Sequence, residues 1–351
     1  MDWVALAAAA NRFLVTAALA PALERKNLLT LLPTDLQDYL HLVRAANAQR
    51  NAAIRRQLCE IIDDLNAAGI VPLLLKGSVA LFEPDVHGGE DPGAGRIMSD
   101  VDLLVPPDAF PRAAGLLIGA GYELINELEG KESHAQIFAR AGALVTVDLH
   151  RSLGLQHSFL SVDAAWKRAE PLALDGQQAL TLCPTHRIAF LIFHRQIQSQ
   201  GHALGEVPLR DLHDYAVECR RFGDRIDWPE IARMFGRFGW SGILRDWVDL
   251  ADRLMGLPPP PGVPAPHRAG LHRWRCVLQE RSPALMAAVR FGMSCVYPFT
   301  AVQIAYFYNR DLRGLHPLAL AACRLRRAAA LLWKYRWKAL HRTRQLYQAQ
   351  R

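Results

Sequence analysis

The sequence predicts an α+β protein, a small sheet set between helical N- and C-terminal regions. Three observations carry this reading. Apolar residues recur at helical spacing along the first third of the chain, at Leu36, Leu40, Val43, Ile54, Leu58, Ile61, Ile62 and Leu65. Short apolar runs broken by Gly and Pro then fill the next hundred residues, and after about residue 165 the helical spacing returns. With 351 residues, 51% hydrophobic and 21% charged, the chain has an ordinary globular balance, which excludes a wholly disordered protein. The expected organisation is a helical region over 1–66, a sheet core over 67–165, a helical domain over 166–256, and a Pro-rich connector with a basic, aromatic helical region over 257–351.

Taken in order, Trp3–Leu23 is rich in Ala and Leu, but it opens on Asp2, and Asn11 and Arg12 divide it. That predicts packed helix and not a signal peptide. Thr34-Asp35-Leu36-Gln37 has the form of a capping box opening one or two long helices, which Gly69 stops. Val71–Leu75 reads as a buried strand, followed by Lys76-Gly77-Ser78 and a short helix. A Gly- and Pro-rich loop, Glu83–Arg96, leads to a second strand at Val101–Val105. Asp108 is placed to cap a helix over Ala109–Ala120. Further strands are expected at Tyr122–Asn126, Gln136–Ala139 and Ala143–His150, the last two joined by a turn at Ala141-Gly142. Thr185 is placed to cap a helix running to Gln200, and Asp227-Trp228-Pro229-Glu230 carries an Asp cap with Pro in the first turn. Pro258–Pro266, with six prolines in nine residues, is a stiff connector. Phe291–Tyr308 is uncharged but diluted by Gly292, Ser294, Pro298, Thr300 and Gln303, so it reads as a buried hairpin rather than a membrane span. The six cysteines lie far apart with no CxxC pair, which predicts reduced thiols, no disulfide partner and a soluble, cytoplasmic protein.

The carboxylates carry the functional reading. In Ser99-Asp100-Val101-Asp102-Leu103-Leu104-Val105, Asp100 and Asp102 stand two apart on a strand and share a face. Two such carboxylates repel and raise each other's pKa unless a cation compensates. Mg²⁺ suits them, or Mn²⁺, because such an ion takes a few carboxylate oxygens and shares the rest of its shell with substrate phosphates. In Val145-Thr146-Val147-Asp148-Leu149-His150, alternation puts Thr146, Asp148 and His150 on one face. If this strand lies beside the first, Asp148 becomes the third carboxylate of a two-metal site of the kind that serves phosphoryl-type transfer. Lys76-Gly77-Ser78 adds a strand-to-helix turn where Gly permits close approach, Ser78 can donate to a phosphate and Lys76 supplies charge.

Leu74-Leu75-Lys76-Gly77, Arg96, Ser99–Val105, Gly121-Tyr122 and Asp148-Leu149-His150 together resemble the bacterial uncharacterised nucleotidyltransferase family of the DNA polymerase beta-like superfamily. His194, Leu209-Arg210-Asp211-Leu212-His213-Asp214 and Asp227-Trp228 resemble its helical half, so the likeness spans roughly residues 60–255. It implies a small mixed nucleotidyltransferase sheet with helices behind it, Asp100, Asp102 and Asp148 as catalytic metal ligands, and Gly77-Ser78 as the phosphate-contacting turn. It also implies an NTP co-substrate and an acceptor such as a modified peptide or glycan. The segment between Phe82 and Arg96 is longer and more Gly-rich than the family pattern.

The remaining candidates each have two readings. Arg96 either holds a phosphate or pairs with Glu90 or Asp91; Lys76 either serves the site or simply ends a strand. His150 either stays near the metals or is only hydrogen-bonded. Arg210 either reaches the nucleotide or pairs with Asp214 four residues on. His186 and His194 read as helix-packing residues. From Arg310 to Arg351 there are 11 Lys/Arg against one Asp, interleaved with Trp333, Tyr335, Trp337 and Tyr347. That tail either contacts a polyanion or membrane surface, or is a helix with a solvated basic face. The function expected is metal-dependent transfer of a nucleoside monophosphate to an acceptor hydroxyl. The alternatives are an RNA-modifying, toxin-like nucleotidyltransferase and a non-catalytic nucleotide- or peptide-binding module.

Overall fold

The computed structural model describes residues 2–83, 93–125, 135–154, 159–174, 176–263, 269–296 and 318–330. The chain divides into two compact units, residues 1–280 and 281–351. The first unit opens with α1 (Trp3–Arg12) and α2 (Thr16–Glu24), separated where Leu14 takes a positive φ and Thr16 Oγ1 donates to Asn11 Oδ1 at 2.6 Å. A single long helix, α3 (Thr34–Ala67), follows and ends before Gly69, whose φ of +72° needs no Cβ.

The sheet elements come next: β1 (Leu73–Leu75), α4 (Gly77–Ala80), β2 (Asp100–Leu104), α5 (Phe110–Gly119), β3 (Glu123–Leu124), β4 (Ala135–Ala139) and β5 (Thr146–His150). After α6 (Val162–Lys167), two further strands, β6 (Glu170–Leu172) and β7 (Ala179–Thr181), complete a seven-stranded mixed sheet of order β3-β4-β5-β2-β1-β7-β6. The pairs β2–β5 and β1–β7 are parallel and the other pairs antiparallel. The helices after the sheet are α7 (Pro184–Phe193), α8 (Gly201–Leu204), α9 (Leu209–Phe222), α10 (Trp228–Arg237), α11 (Ser241–Met255) and α12 (Ala269–Arg281). In the second unit α13 (Pro283–Val296) and residues 318–330 are helical.

Period-two alternation sorts the strands between two cores. Leu74, Val101, Leu103, Val147 and Leu149 pack with Ile54, Leu58, Ile62 and Leu65 of α3 and Leu117 of α5. Leu73, Leu75 and Leu104 face the other way, into a core with Phe193, Leu212, Tyr215, Trp228 and Trp247 from the C-terminal helices. The same alternation puts Asp100, Asp102, Asp148 and His150 on the second face, toward those helices.

Several local expectations give way. Pro33, not Thr34, precedes the first turn of α3, and Gln37 Nε2 donates to Leu32 O at 2.8 Å. No side chain caps α5, so Asp108 does not fill that role. Thr185 lies inside α7 and accepts from the Asp227 N–H at 2.9 Å, while the helix runs on past Phe193 as a wider π-helical turn over His194–Gln198, close to the expected end at Gln200. Asp227 does cap α10, accepting from Glu230 N at 2.7 Å. The segment after residue 165, read from spacing as wholly helical, holds β6 and β7: these strands of three residues each are too short to show alternation. Among the described residues no helix is long and apolar enough to cross a membrane. Glu90, Asp91, most of the Gly-rich loop, residues 297–308 of the apolar stretch, and Trp333, Tyr335, Trp337 and Tyr347 of the basic tail lie outside the described residues.

One face of α3 is polar where it braces the segment before β2. Asn47 Nδ2 donates to Ala94 O (2.8 Å) and Arg96 O (3.0 Å), and Asn51 Nδ2 to Gly93 O and Arg96 O (both 2.8 Å). Arg50 donates to Met98 O at 2.7 Å. Asn51 is 1% exposed. Asn51→Leu would remove one donor from each of two carbonyls, leaving Gly93 O with the Arg96 N–H and Arg96 O with Asn47, and is expected to cost about 0.5–1.5 kcal/mol, read as a lower urea midpoint at unchanged m value.

Candidate active site

A cleft of about 1210 Å³, counting the solvent at its mouth, lies between the second sheet face and α7 and α9. Asp100 and Asp102 line it from the sheet, with Lys76 and Arg96 beside them. From α9 come Arg210, Asp211, His213, Asp214, Val217, Glu218 and Arg221. That stripe recurs at helical spacing while Leu212, Tyr215 and Ala216 turn to the core, so α9 presents a polar face to the cleft.

Asp102 is the centre of the site. Register places it opposite Leu75 on β1 and beside Asp148 on β5, with Asp100 beside Thr146. It is 2% exposed, and its Oδ1 accepts from Lys76 Nζ at 2.7 Å and meets His150 Nε2 at 3.0 Å. Burial alone would raise the Asp102 pKa; the Lys76 ammonium and then the His150 contact outweigh it and hold the carboxyl well below the ordinary range. Lys76 reaches this position from a strained backbone, φ +50° and ψ −127°, which costs a non-Gly residue about 1–3 kcal/mol. The expected repulsion between Asp100 and Asp102 is therefore met within the chain, and it reappears between neighbouring strands. Asp148, half-buried, is pushed up to about 6 by burial first and by the Asp102 charge second. Its Oδ1 is buried with no hydrogen-bond partner.

That bare oxygen is what a cation would satisfy. Donor atoms of Asp102, Asp148 and His150 lie within 4.8 Å of one another, an oxygen-rich set that fits Mg²⁺ or Mn²⁺. Asp100, on the cleft lip and accepting from Ser99 Oγ at 3.0 Å, stands outside that cluster. His150, which the sequence left between two readings, is 4% exposed and in direct contact with the central carboxylate. Its signal was the alternation that placed it on the face of Asp148.

The turn after β1 serves the strand rather than the cleft. Ser78 is fully buried, and its hydroxyl accepts from the Asp102 N–H at 2.7 Å. Gly77 is buried beneath Arg96: a Cβ there would stand 1.8 Å from the Arg96 guanidinium. Arg96 Nε donates to Asp214 Oδ2 at 2.9 Å, tying the sheet side of the cleft to α9. Asp214, whose carboxyl burial would raise, is instead lowered to about 2, chiefly by the Arg96 charge. So the partner of Asp214 is Arg96 and not Arg210, which donates to Ile97 O at 3.5 Å. His194 and His213 also line the cleft, and His186 is buried beside Glu230. At the far end Arg187 pairs with Glu83 and Glu218, and Arg221 with Glu83.

Residues 1–256 match the family model described as uncharacterised nucleotidyltransferase. Among solved structures, the chain is similar to the antibiotic-resistance factor ANT(2'')-Ia at 11% identity and TM-score 0.37, covering 53% of this chain and 90% of that one. An antigenic nucleotidyltransferase-like protein from Paracoccidioides brasiliensis gives 15% identity and TM-score 0.34, covering 55% and 93% respectively. No curated protein matches the chain.

Two outcomes follow from the geometry. Asp148 has its pKa raised on folding, so between about pH 4 and pH 6 the folded state holds more protons than the unfolded, and the ionised side chain lowers stability above pH 6. Asp148→Asn in EDTA is expected to be more stable than wild type by about 1–2 kcal/mol at pH 7.5, allowing for solvent screening, with the gain gone near pH 4. Urea titrations at the two pH values check this. Gly77→Ala should displace the Arg96 guanidinium and cost about 1–3 kcal/mol; in an Asp214→Asn background the same change should cost less, since the tie is already weakened.

Proposed function

Because the chain belongs to the uncharacterised nucleotidyltransferase family, we propose that it transfers a nucleoside monophosphate from an NTP to an acceptor hydroxyl, using a divalent cation. The observation that carries this reading is the row of carboxylates on β2 and β5: Asp102 beside Asp148, with Asp100 one alternation away, on the sheet face from which Asp100 and Asp102 line a cleft shared with cationic side chains. Asp102 and Asp148 would hold the cation with His150 in reach of the same place, and Asp100, outside that cluster on the cleft lining, would join them as the third carboxylate once the ion and the triphosphate are bound. Such an ion would supply positive charge to the phosphate oxygens and to the leaving pyrophosphate.

The chain's own groups supply the rest. Lys76, Arg96 and Arg210 line the cleft and orient the triphosphate; Gly77 and Ser78 shape the turn that sets Lys76 and Arg96 in place. The acceptor oxygen attacks the α-phosphorus, the bond to the β-phosphate bridging oxygen breaks, and pyrophosphate leaves on the opposite side. Asp148, through the carboxylate oxygen not turned to the cation, takes the acceptor proton.

Pyrophosphate release from Mg²⁺-NTP in the presence of candidate acceptor hydroxyl compounds tests this. Asp100→Asn and Asp102→Asn are each expected to fall at least a hundredfold, and Arg210→Ala to raise the KM for NTP with a smaller change in kcat. Activity of either Asp variant within tenfold of wild type would remove the metal assignment. Calorimetry showing NTP bound tightly, with no pyrophosphate released to any acceptor, would mark a binding module instead.

A further inference from the structure

A second group of metal-ligating side chains lies away from the cleft, where α8, α11 and α12 meet. His202 of α8, Asp246 of α11 and His272 of α12 bring one donor atom each within 4.8 Å of the other two. His202 Nε2 is 2.8 Å from Asp246 Oδ2, and the two imidazoles stack with centroids 4.2 Å apart and planes 7° apart. Cys276, one turn along α12 from His272, places its Sγ 3.4 Å from His272 Nε2. Adjacent sulfur and nitrogen ligands on one tetrahedral zinc stand about 3.5 Å apart, given Zn–S near 2.3 Å and Zn–N near 2.05 Å. Two imidazoles, a carboxylate and a thiol are a set that selects a borderline transition metal over Mg²⁺.

We propose that His202, Asp246, His272 and Cys276 form a structural zinc site that clasps the short α8 segment to α11 and α12. Zinc would replace the ring contacts now made by stacking and by the His202–Asp246 hydrogen bond; closing the shell turns one imidazole out of the stack so that both lone pairs converge. The Cys276 thiol, fully buried, ligates as thiolate, and its proton leaves to solvent. The neighbourhood is already pinned: Arg275 donates to the carbonyls of His202 and Ala203, and Gln279 Nε2 to Leu204 O at 2.6 Å, so the α8 backbone is fixed against α12. The site differs from the cleft cluster in its two imidazoles and single carboxylate, and the Cys276 thiol, beside His272 but outside the three donors that lie within 4.8 Å of one another, swings in to complete the shell.

The test is Co²⁺ titration of the full chain, prepared metal-free and under reducing conditions, followed by visible and near-ultraviolet absorption. The expected result is a tetrahedral d–d band saturating at one equivalent, together with a thiolate-to-cobalt charge-transfer band, both lost on adding zinc. Cys276→Ser should lose the charge-transfer band, and His272→Gln should weaken Co²⁺ binding at least tenfold. Asp148→Asn, which alters only the cleft cluster, should keep both bands. Zinc should raise the melting temperature of wild type and Asp148→Asn but not of His272→Gln, with circular dichroism showing each variant folded. A folded wild-type chain that binds no Co²⁺ at micromolar concentration, or a Cys276→Ser variant with an unchanged spectrum, would overturn the proposal.

Discussion

The burial of one carboxylate organises the centre of this protein. Asp102 sits in the interior of a sheet, opposite Leu75, where an unpaired charge would cost several kcal/mol. Lys76 and His150 compensate it, and each does so at a structural cost: Lys76 adopts a backbone that L-residues rarely take, and His150 gives up solvent. The backbone N–H of Asp102 is also taken, by the Ser78 hydroxyl. Once both ends of Asp102 are fixed, the position of β1 against β2, the turn after β1 and the orientation of β5 are set relative to one another.

That arrangement moves the electrostatic cost onto Asp148. With Asp102 held ionised by a lysine, the next carboxylate on the same face is the one left with an unbonded oxygen and a raised pKa. Two acids side by side thus differ in character because of their partners, one a fixed anion and the other a group that can gain or lose a proton near neutrality.

The cleft depends on a second charged contact. Arg96 crosses from the segment before β2 to Asp214 on α9, over the space left by Gly77, while its carbonyl is held from below by Asn47 and Asn51. The polar stripe of α9 faces the carboxylates because the opposite side of that helix is committed to Tyr215 and Leu212 in the core with Trp228 and Trp247. Sheet, turn and helix are therefore coupled through buried polar groups as much as through apolar packing, which makes the cleft sensitive to single substitutions well below its surface.

The sequence by itself determined what depends on near neighbours along the chain. Strand alternation put Asp100 and Asp102 on one face and joined Asp148 to His150, and the Asp227 cap was equally legible. Tertiary structure decided the pairings. Nothing local distinguishes Asp214 as the partner of Arg96, 118 residues away, from Asp214 as the partner of Arg210, four residues away. Nothing local shows that Ser78 meets a strand amide, or that β6 and β7, three residues each, extend the sheet past β1. The physical reason is that a periodic pattern fixes which face a side chain occupies, whereas a charge or hydroxyl settles on whichever partner the packed fold brings within about 3 Å, and that distance is set by the register of strands and the docking of helices.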